Sequence, residues 1–180
     1  MANKILVIAK SEKYKKIVSK NLVSFYKNFL DGFYVDKIVE ESKIVGYRIN
    51  SFKNESEILA AKNFLSRIYF NKYGVNMKAI DEFAVKCCDG NNTLFIDELG
   101  PIFLLSKKFM DLIIRVLSSD KKIVCFSKNV NEIKATFNAL DDSQIIEITE
   151  KNYLQLQKYL EDWIGRNLIA GENYGNFKNS

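Results

Sequence analysis

The sequence predicts an α/β fold: a three-layer α/β/α arrangement with a mostly parallel sheet and one added antiparallel hairpin. Strand-like apolar runs alternate with amphipathic helical segments, which is typical of a parallel sheet with helices on both faces. Of the 180 residues, 47% are hydrophobic and 27% are charged, as in ordinary folded globular chains. Two strand-like runs, residues 33–39 and 43–50, are separated by only three residues, and this spacing predicts the hairpin.

The other elements are predicted from apolar periodicity and capping signals. Residues 5–8 (ILVI) form the first strand, and a helix begins near Lys13. After the hairpin, Asn54 and Glu57 have the spacing of a capping box and predict a helix that includes Ile68 and ends before Gly74. The remaining predicted elements are a short strand at 75–80, a helix at 81–88, a strand at 93–96, a helix at 106–117, a strand at 122–127, a helix at 131–140, a strand at 144–148 and a helix at 151–168.

The length and the apolar patterning predict one α/β domain over residues 1–169, followed by a flexible polar tail over residues 170–180. The apolar runs are too short to cross a bilayer, and the first residues lack the pattern of a signal peptide. We therefore expect a cytoplasmic protein without a membrane partner.

The inventory of reactive side chains excludes several kinds of chemistry. Histidine is absent, and the three cysteines are Cys87, Cys88 and Cys125. This set does not match the usual zinc spacings, and Ser-His or Cys-His nucleophilic pairs are impossible. Any general base is therefore a carboxylate, lysine, tyrosine or cysteine, and the cysteines are expected to be reduced and mostly buried.

The net charge of +5 is concentrated near the N-terminus, on the predicted first helix. One stripe of that helix holds Lys13, Lys16, Lys20 and Lys27, and the opposite stripe holds Val18, Leu22, Phe25 and Phe29. A lysine stripe can bind nucleic acid, but it is more often a solvated helix face, so a nucleic-acid partner is not expected. Lys15 lies away from the lysine stripe.

The run LFIDELG places Asp97 and Glu98 directly after a buried strand. Carboxylates at this end of a central strand can support magnesium and orient a water molecule in phosphate chemistry. They can also cap the turn that continues through Gly100 and Pro101. These residues alone leave both interpretations open.

Longer stretches resemble the small P-loop nucleoside-triphosphatases first described from thermophiles, which are nucleotide-kinase-like. FIDELGPIFLLSKKF is similar to that family's Asp-Glu-Ile-Gly block with its following serine and phenylalanine. DGFYVDKIVEESKIVGYRI resembles the family's hairpin, with Gly32-Phe33 and Gly46-Tyr47 at its two Gly-Phe pairs. KYGVNMKAIDEF and ITEKNYLQL resemble its next strand and its closing strand-to-helix turn, so the colinear set covers roughly two thirds of the chain.

The phosphate loop expected from this resemblance departs from the family pattern in the stretch IAKSEKYKKIVS. The family pattern is a glycine, four further residues, a second glycine, a lysine and then serine or threonine. In this chain Ala9 and Tyr14 stand at the two glycine positions, and Lys16 stands at the serine or threonine position. Only Lys15 matches the pattern. Glycine is needed because the loop takes positive φ angles while its N–H groups approach the phosphates. Glu12 adds a negative charge, and we expect the Tyr14 ring to obstruct the phosphate cavity. The Walker A loop is therefore predicted to be degenerate.

The resemblance implies a role for each remaining site residue. Asp97 is the metal-binding residue, Glu98 is the catalytic residue that orients water, and Lys15 binds the nucleotide phosphates, with Mg²⁺ and ATP or GTP as cofactors. Phe103 stands where the family has a further glutamate. We therefore expect a nucleoside-triphosphatase-like protein that keeps the Walker B-like Asp-Glu pair, binds a nucleoside triphosphate weakly or not at all, and does not hydrolyse it.

The alternative is a non-enzymatic protein-binding or regulatory module on the same fold. In that case the hairpin and the basic first helix are the predicted contact surfaces for a protein partner.

Overall fold

The computed structural model describes residues 2–175 and shows one sheet with helices on both faces. The strands are β1 (Lys4–Ala9), β2 (Leu30–Glu40), β3 (Lys43–Ser51), β4 (Ser56–Ala61), β5 (Tyr69–Phe70), β6 (Tyr73–Val75), β7 (Thr93–Ile96), β8 (Ile123–Ser127) and β9 (Ser143–Ile148). The helices are α1 (Glu12–Tyr26), α2 (Val85–Cys88), α3 (Lys107–Leu117), α4 (Asn131–Asn138) and α5 (Tyr153–Gly175). Shorter segments are 3-10 turns at Lys27–Phe29 and Pro101–Leu105 and a π-helical segment at Ala79–Ala84.

Within the described residues, the strand order is β5-β6-β4-β3-β2-β7-β8-β1-β9, and the five strands from β2 to β9 in this order run parallel. β1 and β8 are buried along their whole length because helices cover both faces. One face packs against α1 and α5 through Val18, Leu22, Leu160 and Trp163. The other face packs against α3 and α4. The predicted α/β/α class is confirmed.

The antiparallel part of the sheet is larger than the single hairpin predicted. β3 pairs with β2 as expected, and β4, β6 and β5 then extend the sheet beyond β3. Gly32 in β2 has a φ of +114°, and a Cβ atom there would lie 2.1 Å from the carbonyl oxygen of Phe95. This close approach of β2 to β7 explains why glycine is required at the start of the hairpin.

The helix predicted from Asn54 through Ile68 is wrong. Asn54 has a φ of 64° and lies in the turn between β3 and β4, where the Ser51 hydroxyl accepts hydrogen bonds from the N–H groups of Lys53 and Glu55. The free edge of β3 then pairs with the following residues as β4, and this pairing overrides the local capping pattern. Leu65, which lies within the range of the predicted helix, is 94% exposed.

The strand predicted at 75–80 is also only partly correct. β6 ends at Val75, and a π-helical segment begins at Ala79. The Asn76 side chain ends the strand because its Oδ1 accepts a hydrogen bond from the Ala79 N–H at 3.3 Å.

The two helices on the α1–α5 face differ from the prediction at their ends. The buried residues of α1 are Lys15, Val18, Ser19 and Leu22, whereas Phe25 is 72% and Phe29 is 46% exposed. The predicted apolar stripe fails at Phe25 because the buried face continues from Leu22 to Tyr26, which packs against the core. It fails at Phe29 because the helix ends at Tyr26 and a 3-10 turn follows. α5 extends to Gly175, so residues 170–175 of the predicted tail are helical, and residues 176–180 lie outside the described residues.

Cys88 and Cys125 are buried and Cys87 is half-buried, as the composition predicted. Burial raises the pKa of the Cys87 thiol to about 11. In the part of the chain that the structure describes, none of the helices is long and apolar enough to cross a membrane.

Candidate functional site

The connection between β1 and α1 is a short turn. β1 ends at Ala9 and α1 begins at Glu12, so only Lys10 and Ser11 lie between them. The Lys15 N–H donates to the Ser11 carbonyl oxygen at 3.4 Å, inside the first turn of the helix. Among the described residues, those with positive φ are Gly32, Glu41, Ser42, Asn54 and Asn71. None of them lies in the β1–α1 connection, so it lacks the left-handed residues of a phosphate-wrapping loop.

The turn after β7 is held by backbone hydrogen bonds on both sides of Glu98. The Asp97 N–H donates to the Phe33 carbonyl oxygen at 3.1 Å, and the Leu99 N–H donates to that of Phe126 at 2.7 Å. The Ser127 hydroxyl also donates to the Leu99 carbonyl oxygen at 2.6 Å. The backbone that carries Asp97 and Glu98 is therefore held by β2 and β8.

Lys15, Asp97 and Glu98 form one buried ionic cluster at the carboxyl end of the parallel strands. The Lys15 ammonium donates a hydrogen bond to Glu98 Oε2, and its Nζ lies 3.6 Å from Asp97 Oδ2. The side chains of Lys15 and Asp97 are 8% and 10% exposed, and that of Glu98 is 23% exposed. The structure thus brings together the three predicted site residues and pairs them with one another.

Charge and burial act differently on the members of this cluster. Burial by itself would lower the pKa of the Lys15 ammonium, but the charges of Asp97 and Glu98 outweigh it and hold this pKa above its usual range. Burial raises the pKa of the Asp97 carboxyl, and the Lys15 charge offsets this only in part. The two directions follow from the surroundings, because Lys15 faces two carboxylates whereas Asp97 is deeply buried beside one ammonium and a second carboxylate.

Asp97 also carries an unsatisfied atom. Its Oδ1 is buried and has no hydrogen-bond partner among the described residues. The buried Ser19 hydroxyl, one helical turn after Lys15, lies close enough to the carboxyl to lower its pKa somewhat. Ser19 was missed by the sequence analysis, although its position four residues after Lys15 places it on the same helix face.

A cavity of about 360 Å³ opens beside this cluster, and we call it the corner cavity. It lies between the start of α1, the antiparallel part of the sheet and the turn after β7. Its apolar wall includes Val35, Tyr47, Leu59, Phe70, Tyr73 and Ile102. Its charged end includes Glu12, Lys15, Lys16, Lys37, Glu98 and Lys128.

Further ion pairs surround the corner cavity. Glu12 accepts a hydrogen bond from Lys37 Nζ at 2.8 Å and lies 3.6 Å from Lys16 Nζ, and the contact with Lys37 lowers the pKa of the Glu12 carboxyl. Lys128 Nζ is 3.9 Å from Glu98 Oε1. Lys128 was also missed, since no local pattern connects the end of β8 with the turn after β7.

Two aromatic residues are placed differently from the prediction. The Tyr14 ring does not line the corner cavity but lies against Tyr153 at the start of α5, with ring centroids 5.0 Å apart. Phe103 is completely buried, and its ring centroid is 5.1 Å from those of both Phe33 and Phe109. Position 103, where the family resemblance predicts a glutamate, is therefore part of the hydrophobic core.

The donor atoms at the corner do not form a ready magnesium site. Carboxylate oxygens suit Mg²⁺, and the unpartnered Asp97 Oδ1 is a free donor. The ammonium of Lys15, however, already lies at both carboxylates, and Lys16 stands in place of the expected hydroxyl ligand. Among the described residues, there is no cluster of three or more acidic, histidine or cysteine side chains suited to a metal.

The order of the parallel strands, a buried lysine in the first turn of α1 and the Asp-Glu pair after β7 define a P-loop NTPase-like α/β protein. A model of the family described as NTPase matches residues 7–168. The chain belongs to this family of small P-loop NTPases.

Curated relatives agree with this assignment, and solved structures share the fold. The nucleoside-triphosphatase THEP1 of Thermotoga petrophila is 29% identical over 160 residues, which are 86% of this chain and 89% of that protein. The crystal structure of THEP1 from Aquifex aeolicus has a TM-score of 0.75 at 22% identity and covers 89% of this chain and 98% of that one. The solution structure of a human cancer-related nucleoside triphosphatase has a TM-score of 0.73 at 15% identity and covers 91% and 97%, respectively. Both structural likenesses concern the fold.

Proposed function

We propose that this chain is a degenerate NTPase-family protein in which binding of a nucleoside triphosphate is weak or lost and hydrolysis is absent. The observation that supports the proposal most directly is the burial of Lys15 and its hydrogen bond with Glu98. This lysine, the residue implied to bind phosphates, is buried at the corner and bonded to Glu98. A phosphate group must compete with that internal partner for the ammonium.

The short β1–α1 connection supports the same conclusion. A phosphate cradle is built from successive N–H groups that point at the anion. In this chain the Lys15 N–H is used inside the helix, and two residues are too few to wrap a phosphate group. Glu12 lies at the cavity and is paired with Lys37 and Lys16, so a polyphosphate must compete with this carboxylate for the two lysines.

Asp97 and Glu98 then do not perform the metal-binding and water-orienting roles that the family resemblance implies. In a relative that binds Mg²⁺ with ATP or GTP, Asp97 would support the metal and Glu98 would orient water. Here the donor set does not fit the ion while Lys15 pairs with both carboxylates, and Lys16 adds a positive charge where a hydroxyl ligand is needed. We therefore derive no hydrolytic step.

Thermal unfolding with and without millimolar ATP or GTP plus magnesium tests this proposal. A ligand that binds the folded state raises the melting temperature, and the rise grows with the ratio of ligand concentration to Kd. We expect no rise for the wild-type chain, for Asp97→Asn or for Lys15→Ala. Lys20→Ala is the matched control, because Lys20 is exposed on the same helix. A magnesium-dependent rise of several degrees in the wild type and Lys20→Ala, lost in the other two variants, contradicts the proposal.

A non-enzymatic role with a protein partner is the second candidate. Exposed apolar side chains on the two predicted contact surfaces favour it: Phe25 on α1 is 72% exposed and Val39 on the hairpin is 56% exposed. A photocrosslinking amino acid at Phe25 is expected to capture a defined protein in cells, whereas the same group at the exposed Glu132 on α4 is not. Equal capture at both positions contradicts this role. The cytoplasmic location stays a prediction from the sequence.

A further inference from the structure

The corner cavity combines an apolar wall with a charged end. The wall is contributed by the antiparallel part of the sheet and by the turn after β7, and it contains the rings of Tyr47, Phe70 and Tyr73. Tyr47 and Tyr73 contact each other edge to face, with centroids 5.3 Å apart. A volume of about 360 Å³ is within the range of small-molecule sites. An apolar ligand body suits this part, and rings suit its walls.

The charged end has a surplus of one positive charge. Its four lysines, Lys15, Lys16, Lys37 and Lys128, face three carboxylates, those of Glu12, Glu98 and the buried Asp97. Four positive and three negative charges leave a net charge of +1. One negative charge on a ligand neutralises this end.

The surplus is located on Lys16 and Lys128. Lys15 and Lys37 make the close contacts, with Glu98 and Glu12 respectively. The Nζ atoms of Lys16 and Lys128 stand 3.6 and 3.9 Å from the same two carboxylates, and their side chains are 47% and 68% exposed. These two ammonium groups can turn toward a ligand without breaking a short hydrogen bond.

We propose that the corner cavity binds a small organic monoanion with a ring-bearing apolar body, such as an aromatic carboxylate. The cavity provides one uncompensated positive charge, and the β1–α1 connection beside it does not wrap a phosphate. A magnesium–nucleoside triphosphate complex, in contrast, is a multiply charged anion. This inference rests on the proposed function, because a nucleotide bound at the same corner would occupy the cavity.

Two fluorescent probes of the same ring system separate the apolar contribution from the charge. Anilinonaphthalene sulfonate is an aromatic monoanion, and N-phenylnaphthylamine is its uncharged counterpart. Each is titrated into the folded full-length chain, and the stoichiometry and Kd are measured. We expect one saturable site, with the monoanion bound at least several-fold more tightly than the neutral probe.

Gly100→Leu is the variant that fills the cavity. Gly100 lines the corner cavity in an extended backbone with φ −110° and ψ 177°, and an added Cβ would meet only the Glu98 side chain, at 3.6 Å or more. The substitution therefore fits the backbone and inserts a side chain where the ligand would lie. Binding of both probes should be lost, while thermal unfolding remains cooperative with a similar midpoint.

The double variant Lys16→Ala/Lys128→Ala tests the charge. Binding of the monoanion should weaken by about three- to tenfold, because exposed charges contribute modestly, and binding of the neutral probe should not change. Lys20→Ala/Lys108→Ala removes two exposed lysines outside the cavity and should leave both probes unaffected. The inference is overturned if the titration shows several weak sites or equal affinity for the two probes. It is also overturned if a folded Gly100→Leu chain binds the probes as tightly as the wild type.

Competition keeps this inference separate from the proposed function. Magnesium–ATP at millimolar concentration should not displace the bound monoanion. Displacement at micromolar concentration refutes the proposed loss of nucleotide binding, while the probe titrations alone decide whether the cavity prefers monoanions.

Discussion

Replacing Lys15 by methionine is predicted to destabilise the folded chain, because this substitution keeps side-chain length and helix propensity but removes the charge. The Lys15 and Asp97 side chains are 8% and 10% exposed, so Asp97 would remain buried with its Oδ1 already unpartnered. Glu98 is 23% exposed and can recover hydration. The free energy of unfolding should therefore fall by about 3 kcal/mol, at the lower end of the roughly 3–5 kcal/mol that breaking a buried ion pair costs.

Urea unfolding at neutral pH measures this loss, with Lys13→Met on the same helix as the exposed control. The double variant Lys15→Met/Asp97→Asn should recover at least about 1 kcal/mol, since it removes the charge that the single change leaves buried. A loss below about 1 kcal/mol for Lys15→Met, or strictly additive effects in the double variant, would refute the buried ionic cluster as described.

Three further predictions follow from the surroundings of the site. Gly32→Ala should lower the free energy of unfolding by about 2–4 kcal/mol, because the added Cβ would meet the Phe95 carbonyl oxygen at 2.1 Å. The control is Gly100→Ala, which should change the free energy of unfolding by less than about 1 kcal/mol because its contacts begin at 3.6 Å. Phe103→Glu should prevent stable folding, because the carboxylate would be buried between Phe33 and Phe109, and the cooperative thermal transition should be lost. Phe103→Leu should lower the free energy of unfolding by about 1 kcal/mol and leave the chain folded. The pKa of Lys15 is raised above its ordinary value of 10.5, so its stabilising contribution is complete below that pH and is lost as the pH rises through the folded-state pKa. Urea unfolding between pH 8 and about pH 11.5 measures the difference in the free energy of unfolding between the wild type and Lys15→Met. This difference should stay constant at first and then become smaller as the pH rises. A difference that stays constant over the whole range would contradict a stabilising charge on Lys15.

The sequence is informative where one local pattern determines the outcome. The ILVI run of β1 and the LFI run of β7 are buried on both sides, and a continuous apolar run predicts such a strand directly. The carboxyl ends of parallel strands meet at one edge of a sheet, so Asp97 and Glu98 could be expected near the start of the first helix. Lys15 could be separated from the exposed lysines of α1 by helix geometry alone, and among the lysines of that helix it is the buried one.

The rest depends on contacts between distant segments. Asn54 and Glu57 carry a valid capping pattern, but the free edge of β3 pairs with the residues that follow and gives β4. Tyr14 was expected in the phosphate cavity, and its ring instead packs against Tyr153 from the last helix. The Lys128–Glu98 contact joins the ends of two strands and has no signal in either segment.

The central claim is that this NTPase-family chain no longer holds a nucleoside triphosphate at the corner formed by Lys15, Asp97 and Glu98. Isothermal titration of magnesium–ATP and magnesium–GTP into the full-length chain tests it most directly. We predict no saturable heat below millimolar nucleotide, with Lys15→Ala indistinguishable from the wild type. A single site with micromolar Kd in the wild type, lost in Lys15→Ala, would contradict the claim and show that Lys15 exchanges Glu98 for phosphate.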